Sequence, residues 1–176
     1  MVLVGIVGHK GSGKDTLADY LVLQYGFTKR AFADPIKEAC TILFQLAPEQ
    51  LTDRHLKEAI DPRHGLSPRQ MMQIVGTDMF RFMVDKRFWI NHFLIWYGNI
   101  KNSHNVVVPD VRFQNELDTI KQLGGFVIRL VRPGLAKVDA HVSEAGIDDL
   151  IGIDATIVND ASVMELYKRY ELIMLR

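Results

Sequence analysis

The hydrophobic pattern of this chain changes period several times, and each change marks an element. Residues 2–7, VLVGIV, form a continuous, largely β-branched run leading into glycine, the pattern of a short strand buried on both faces. Leu17, Ala18, Leu21, Val22 and Tyr25 then recur at helical spacing, and Gly26 supplies a stop. Residues 27–33 predict a second, weaker strand. From residue 34 to residue 103 no strand pattern is found. Helix-like segments there are punctuated by Pro35, Pro48, Pro62, Gly65 and Pro68, the last placed as the first-turn proline of a long helix. Residues 105–108, NVVV, predict a buried strand ending at Pro109 and Asp110, and Phe113, Leu117, Ile120 and Leu123 continue as a helix stopped by Gly124 and Gly125. Further strands are expected over 126–131 and 155–158. Ser162 with Glu165 predicts a capping box for a last helix whose apolar face is Val163, Leu166, Tyr167, Tyr170 and Ile173. Alternating strands and helices imply an α/β fold with a parallel sheet, in one domain carrying a mostly helical insertion.

Composition narrows the function classes. A length of 176 residues suits one domain, and 48% hydrophobic with 24% charged residues excludes a disordered tail, a collagen-like fibre and a coiled coil. Lys plus Arg equals Asp plus Glu at 21 each, so no global field favours polymeric nucleic acid or an anionic membrane. Any anion site must be local. The longest apolar stretches, 2–7 and 88–97, fall short of the ~20 residues a spanning helix requires. The chain start carries no basic region followed by a small-residue cleavage site, and the single Cys40 cannot pair internally, so a reducing cytoplasm is expected. The six histidines show no paired spacing with Cys or Glu, so no structural zinc is expected.

Local chemistry is concentrated first at 8–16, GHKGSGKDT, which fits G-x-x-x-x-G-K between a predicted strand and a predicted helix. Gly11, Ser12 and Gly13 let backbone N–H groups converge on phosphate oxygens, the following helix directs its positive end at them, and Lys14 reaches the β- and γ-phosphates. Asp15 stands where a hydroxyl is common, and Thr16 follows it. A carboxylate beside a triphosphate needs an intervening cation, so Asp15 reads as a direct or water-mediated magnesium partner with Thr16 adding a hydroxyl; a helix-capping role is the other reading.

Further candidates lie along the chain. Asp110 and Arg112 follow the third predicted strand, where the carboxyl ends of parallel strands surround a ligand crevice. Asp110 suits ordering a magnesium ion or its water, Arg112 forking onto a phosphate, and Glu116 orienting Arg112, against the plainer reading of a surface i, i+4 ion pair. Arg69, Gln73, Gly76 and Thr77 share one face of the helix opening at Pro68, with a cationic fork, an amide, a gap and a hydroxyl suited to a nucleotide; a solvated face is the competing reading. Trp89 reads either as a base-stacking residue or as core. Arg129, Arg132, Lys137 and His141 gather around Pro133 and Gly134, where a loop closing over phosphates would exclude water. Asn159 and Asp160, at the end of the last strand, border a base or start the helix.

Taken together, the loop at 8–16, Pro35-Ile-Lys37, RQMMQIVGTD at 69–78, Phe88-Trp89, VPDVR at 108–112 with Glu116, VRPG at 131–134 and HVSEAG at 141–146 resemble the deoxynucleoside monophosphate kinases encoded by tailed bacteriophages, within the P-loop nucleoside monophosphate kinase group. The resemblance runs nearly end to end. It implies a P-loop NTPase three-layer α/β/α fold with a five-stranded parallel sheet, a helical acceptor-binding insertion over 33–104 and a lid near 132–148. It implies ATP as donor with Mg2+, a deoxynucleoside monophosphate as acceptor, and a homodimer. Lys14, Asp15 and Thr16 then belong to the donor and metal site with Arg132, while Arg69, Gln73, Gly76, Thr77, Trp89, Asp110, Arg112 and Glu116 fall on the acceptor side. A small-metabolite kinase on the same scaffold and a nucleotide-binding switch are the rival readings.

Overall fold

The computed structural model describes residues 1–135 and 146–174. Five strands, β1 (Leu3–Val7), β2 (Thr28–Lys29), β3 (Val106–Val111), β4 (Phe126–Val131) and β5 (Ala155–Val158), pair entirely in parallel in the order β2-β3-β1-β4-β5. The second expected strand shrinks to two residues. The third runs through Pro109 and Asp110, its expected end, to Val111. Proline removes a ladder donor, and the β1–β3 register shifts between Gly5 and Val7 at this level, which accommodates it.

The chain divides into two compact units, residues 1–31 with 96–176 and residues 32–95. In the first, Val4, Ile6, Val107, Ile128, Leu130 and Ile157 form the core with α1 (Lys14–Tyr25) and the last described helix, Val163–Met174. Gly5 and Val127 point to the other face, where Ile120 of the helix Gln114–Gln122 packs. Helices therefore cover both faces, as a wholly parallel sheet requires. Because β1 lies between β3 and β4, the loop leaving its carboxyl end sits at the switch point of the sheet.

The second unit contains α2 (Asp34–Phe44), α3 (Pro48–Thr52) and α4 (Pro68–Gln73), and helix α5 (Phe88–Ile100) starts in it. In chain order the two later helices are α6 (Gln114–Gln122) and α7 (Val163–Met174). Cys40, Leu46, Leu51, Met71, Val75 and Trp89 make this unit's own core. The helix opening at Pro68, capped by Ser67, is not α-helical throughout: from Ile74 to Val84 it widens into π-helix. A reason is visible at Gly76, whose carbonyl accepts the Trp89 indole N–H at 2.6 Å, so a side chain competes for a carbonyl of the backbone ladder. The wider turns also loosen the common face expected of Arg69, Gln73, Gly76 and Thr77, since α-helical spacing ends between the second and third of them.

Buried Asp61 organises the loop before α4. It accepts from Arg63 Nη2 at 2.6 Å and Nε at 3.0 Å, and from the Arg63 backbone N–H at 2.9 Å. These bonds hold its carboxyl well below the usual carboxylate range. The folded state thus favours the ionised form, and the resulting stability is present above the ordinary value of about 3.9 and lost as pH falls below it. Asp61→Asn is expected to lower the melting temperature at pH 7, with the gap to the parent protein narrowing at pH 3; a gap constant across that range would reject the linkage.

No helix among the described residues is long and apolar enough to cross a membrane.

Candidate active site

The phosphate loop is built on backbone conformations that few side chains tolerate. Gly11 and Gly13 adopt φ of 82° and 103°, and α1 starts directly after Gly13 with no side-chain hydrogen bond at its cap. No side chain at the cap competes there for first-turn N–H groups, which leaves them to an anion. Lys14 folds back over the loop, donating Nζ to the His9 carbonyl at 2.8 Å, and Ser12 N–H bonds the same carbonyl at 3.1 Å. Asn159 braces the loop from the end of β5, donating Nδ2 to the Ser12 carbonyl at 2.9 Å. Asn159 stands at the strand end that its place in the sequence predicts, but its partner is not legible there because the contact joins positions 147 residues apart. Neighbouring Asp160 pairs with Arg169, which holds its carboxyl below the usual range, and Ser162 Oγ accepts the Glu165 N–H to start α7.

Asp15 does not cap α1. Its carboxylate is 79% exposed and lies 3.2 Å from Lys29 Nζ, which also bonds Asp19 at 2.9 Å. Burial opposes the charge on Lys29, but the two carboxylates outweigh it and raise its pKa. Among the described residues no group of three or more His, Cys, Asp or Glu could hold a metal ion. A magnesium ion here fits only if phosphate oxygens and water supply most of its ligands, which is its usual habit, with Thr16 and Asp15 adding one or two.

At the end of β3, Asp110 and Arg112 precede α6, and the structure gives Glu116 a different task from the surface pair considered above. Glu116 is 3% exposed, and its Oε2 accepts the backbone N–H of Arg112 at 2.9 Å and of Phe113 at 3.2 Å. It is a buried helix cap that fixes the backbone beneath Arg112.

In the second unit, Arg69 Nε meets Glu58 Oε1 at 2.6 Å, Gln73 is half-buried and Thr77 is buried. Gly76 leaves no gap for a ligand: a Cβ there would sit 2.7 Å from Ile36 Cδ1, so its smallness allows α2 to pack closely. Trp89 is likewise core rather than a stacking surface, being 5% exposed and edge-on to Phe80 and Phe88 at 5.4 and 4.8 Å between ring centroids.

After β4, exposed Arg132 and Leu135 join Gly8, His9, Ser12, Arg129, Ile147 and Asp148 around a cavity of about 130 Å³ beside the loop. Arg129 is not a loop cation; it sits within β4 and reaches backbone carbonyls at 147 and 150. Lys137 and His141, with the middle of the expected lid, lie outside the described residues.

A loop of this construction at a switch point has the backbone chemistry that suits a phosphate group, and comparison with known proteins names a family. The family model for deoxynucleotide monophosphate kinases matches residues 2–61 and 49–170. The chain belongs to that family. A member from Acanthamoeba polyphaga mimivirus is 44% identical over 96% of this chain and 94% of its own. The deoxynucleotide monophosphate kinase of Enterobacteria phage T4 is 27% identical over 96% of this chain and 97% of its own. Shikimate kinase from Aquifex aeolicus superposes with a TM-score of 0.55 at 12% identity, covering 98% and 96% of the two chains, a likeness of fold alone. This deoxynucleotide monophosphate kinase family member is thus a phosphotransferase on the P-loop kinase scaffold.

Proposed function

We propose that this kinase transfers the γ-phosphoryl group of ATP to the 5′-phosphate of a deoxynucleoside monophosphate, giving the diphosphate and ADP. The observation that supports this most directly is the phosphate loop itself: left-handed glycines, an α1 start without a side-chain cap, and Lys14 held on the loop by the His9 carbonyl. Gly11, Ser12, Gly13 and Lys14 hold the donor phosphates through backbone N–H groups and one ammonium, and Arg132 approaches them from the end of β4. Thr16 and Asp15 would hold magnesium, which would neutralise phosphate charge, with Asp15 shared between the ion or its water and Lys29.

The acceptor phosphate is already ionised near neutrality, so no strong base and no protein nucleophile is needed. Arg112 forks onto it, Glu116 fixes the Arg112 backbone, and Asp110 orients rather than accepts a proton. In the helical unit Arg69, Gln73 and Thr77 are the polar positions assigned to the acceptor nucleoside, while Trp89 and Gly76 serve that unit's own packing. The reading places the enzyme in a cytoplasm, as a homodimer that sedimentation would weigh.

Arg112→Ala is expected to lower kcat/KM for the monophosphate about 10²-fold, the scale of losing a charge-assisted fork on a reacting phosphate, while KM for ATP changes little. An effect confined to ATP would contradict the role. Initial rates with ATP against every deoxy- and ribonucleoside monophosphate test the function as a whole; ADP release independent of any monophosphate would reject it.

A further inference from the structure

Asp148 has no role in the scheme above, yet it connects to the catalytic lysine. Arg129 Nη2 donates to the carbonyls of Leu150 at 2.9 Å and Ile147 at 3.3 Å, which clamps this turn against β4. The turn presents Asp148, whose Oδ1 lies 2.8 Å from Nε2 of His9, a phosphate-loop residue 139 positions away. The His9 carbonyl in turn holds Lys14 Nζ at 2.8 Å. Four hydrogen bonds therefore run from β4 through residues 147–150 to the lysine.

The loop needs such a tether for a physical reason. His9 lies between Gly8 and Gly11, at φ of 156° and 82°, where the backbone has little side-chain restraint. Gly8 packs closely on the Leu130 carbonyl, but His9 itself borders the 130 Å³ cavity. Among the described residues, the buried polar atoms without a hydrogen-bond partner are Ser12 Oγ and Arg129 Nε, and both residues line that cavity. The contact described for the His9 ring is the Asp148 carboxylate.

We propose that Asp148 is a positioning residue for phosphoryl transfer: by tethering His9 it sets where the His9 carbonyl parks the Lys14 ammonium, and hence how Lys14 meets the donor phosphates. The proposal rests on assigning Lys14 to those phosphates. The carboxylate suits the task because it is acceptor-only and pairs with a His9 Nε2–H in either charge state of the ring.

Asp148→Ala and His9→Ala are each expected to lower kcat/KM for ATP about tenfold, with KM for the monophosphate held within about twofold. The double variant should be no worse than either single one, since both remove one tether. Melting temperatures should stay within a degree or so of the parent protein, because the two side chains are 31% and 49% exposed and such pairs add little stability. Additive losses in the double variant, a loss borne equally by the acceptor, or a fall in melting temperature that tracks the activity would each overturn the proposal. Lys14→Ala measured alongside separates the two levels: retained turnover there defeats the donor-site assignment itself, whereas lost turnover with an additive Asp148–His9 cycle defeats only the tether.

Discussion

Lys14→Ala lowers kcat by about 10³-fold, the scale of removing a preorganised cation from a site where charge develops during transfer. The fold should survive, since the side chain bonds the His9 carbonyl from a half-buried position on the loop rather than from the core. Lys14→Arg is expected to recover little, because a planar fork does not replace a compact ammonium on a loop this tight. ADP formation at saturating ATP with each deoxynucleoside monophosphate is the measurement, with a circular dichroism melt as the control. Turnover within a few-fold of the parent enzyme would remove Lys14 from the donor site.

Gly13→Ala damages both stability and catalysis, for two separable reasons. At φ of 103° any side chain is strained, at a cost of about 2 kcal/mol. A Cβ would also lie 2.6 Å from Asn159 Nδ2, so the amide that braces the Ser12 carbonyl must move. Strain alone corresponds to a fall in melting temperature of about 5 °C for a chain of this length, and displacing the loop by about 1 Å costs on the order of 10² in rate. Asn159→Ala removes the brace without the strain, so it should lower activity while sparing most of the stability. Equal melting temperatures for Gly13→Ala and the parent protein would show that the loop accepts a side chain.

Much of the fold follows from period and punctuation. The run at 2–7, the helical face from Leu17 to Tyr25 and the valines before Pro109 each predict an element that the structure contains, because burial on both faces of a parallel strand leaves a nearly continuous apolar signature. The phosphate loop is equally legible, since its chemistry resides in contiguous backbone and one lysine. The helix from Pro68 was harder to read. Its π-helical stretch depends on an indole thirteen residues further on that claims the Gly76 carbonyl, and nothing in the local periodicity records that.

The side chains whose roles changed share one property. Trp89, Gly76 and Glu116 all have residue types that suit nucleotide binding, but Trp89 is enclosed by Phe80 and Phe88, Gly76 by Ile36, and Glu116 by the backbone of its own helix start. Residue type states what a group can do, whereas burial decides what it does. The chain's own order of residues determined the strand and helix succession, the anion cradle and the family, because these depend on neighbours within a few positions. Only the tertiary structure decided that Asn159 braces Ser12, that Asp15 faces Lys29, and that Asp148 reaches His9, because a hydrogen bond between distant positions exists only once the sheet has set the distance between them.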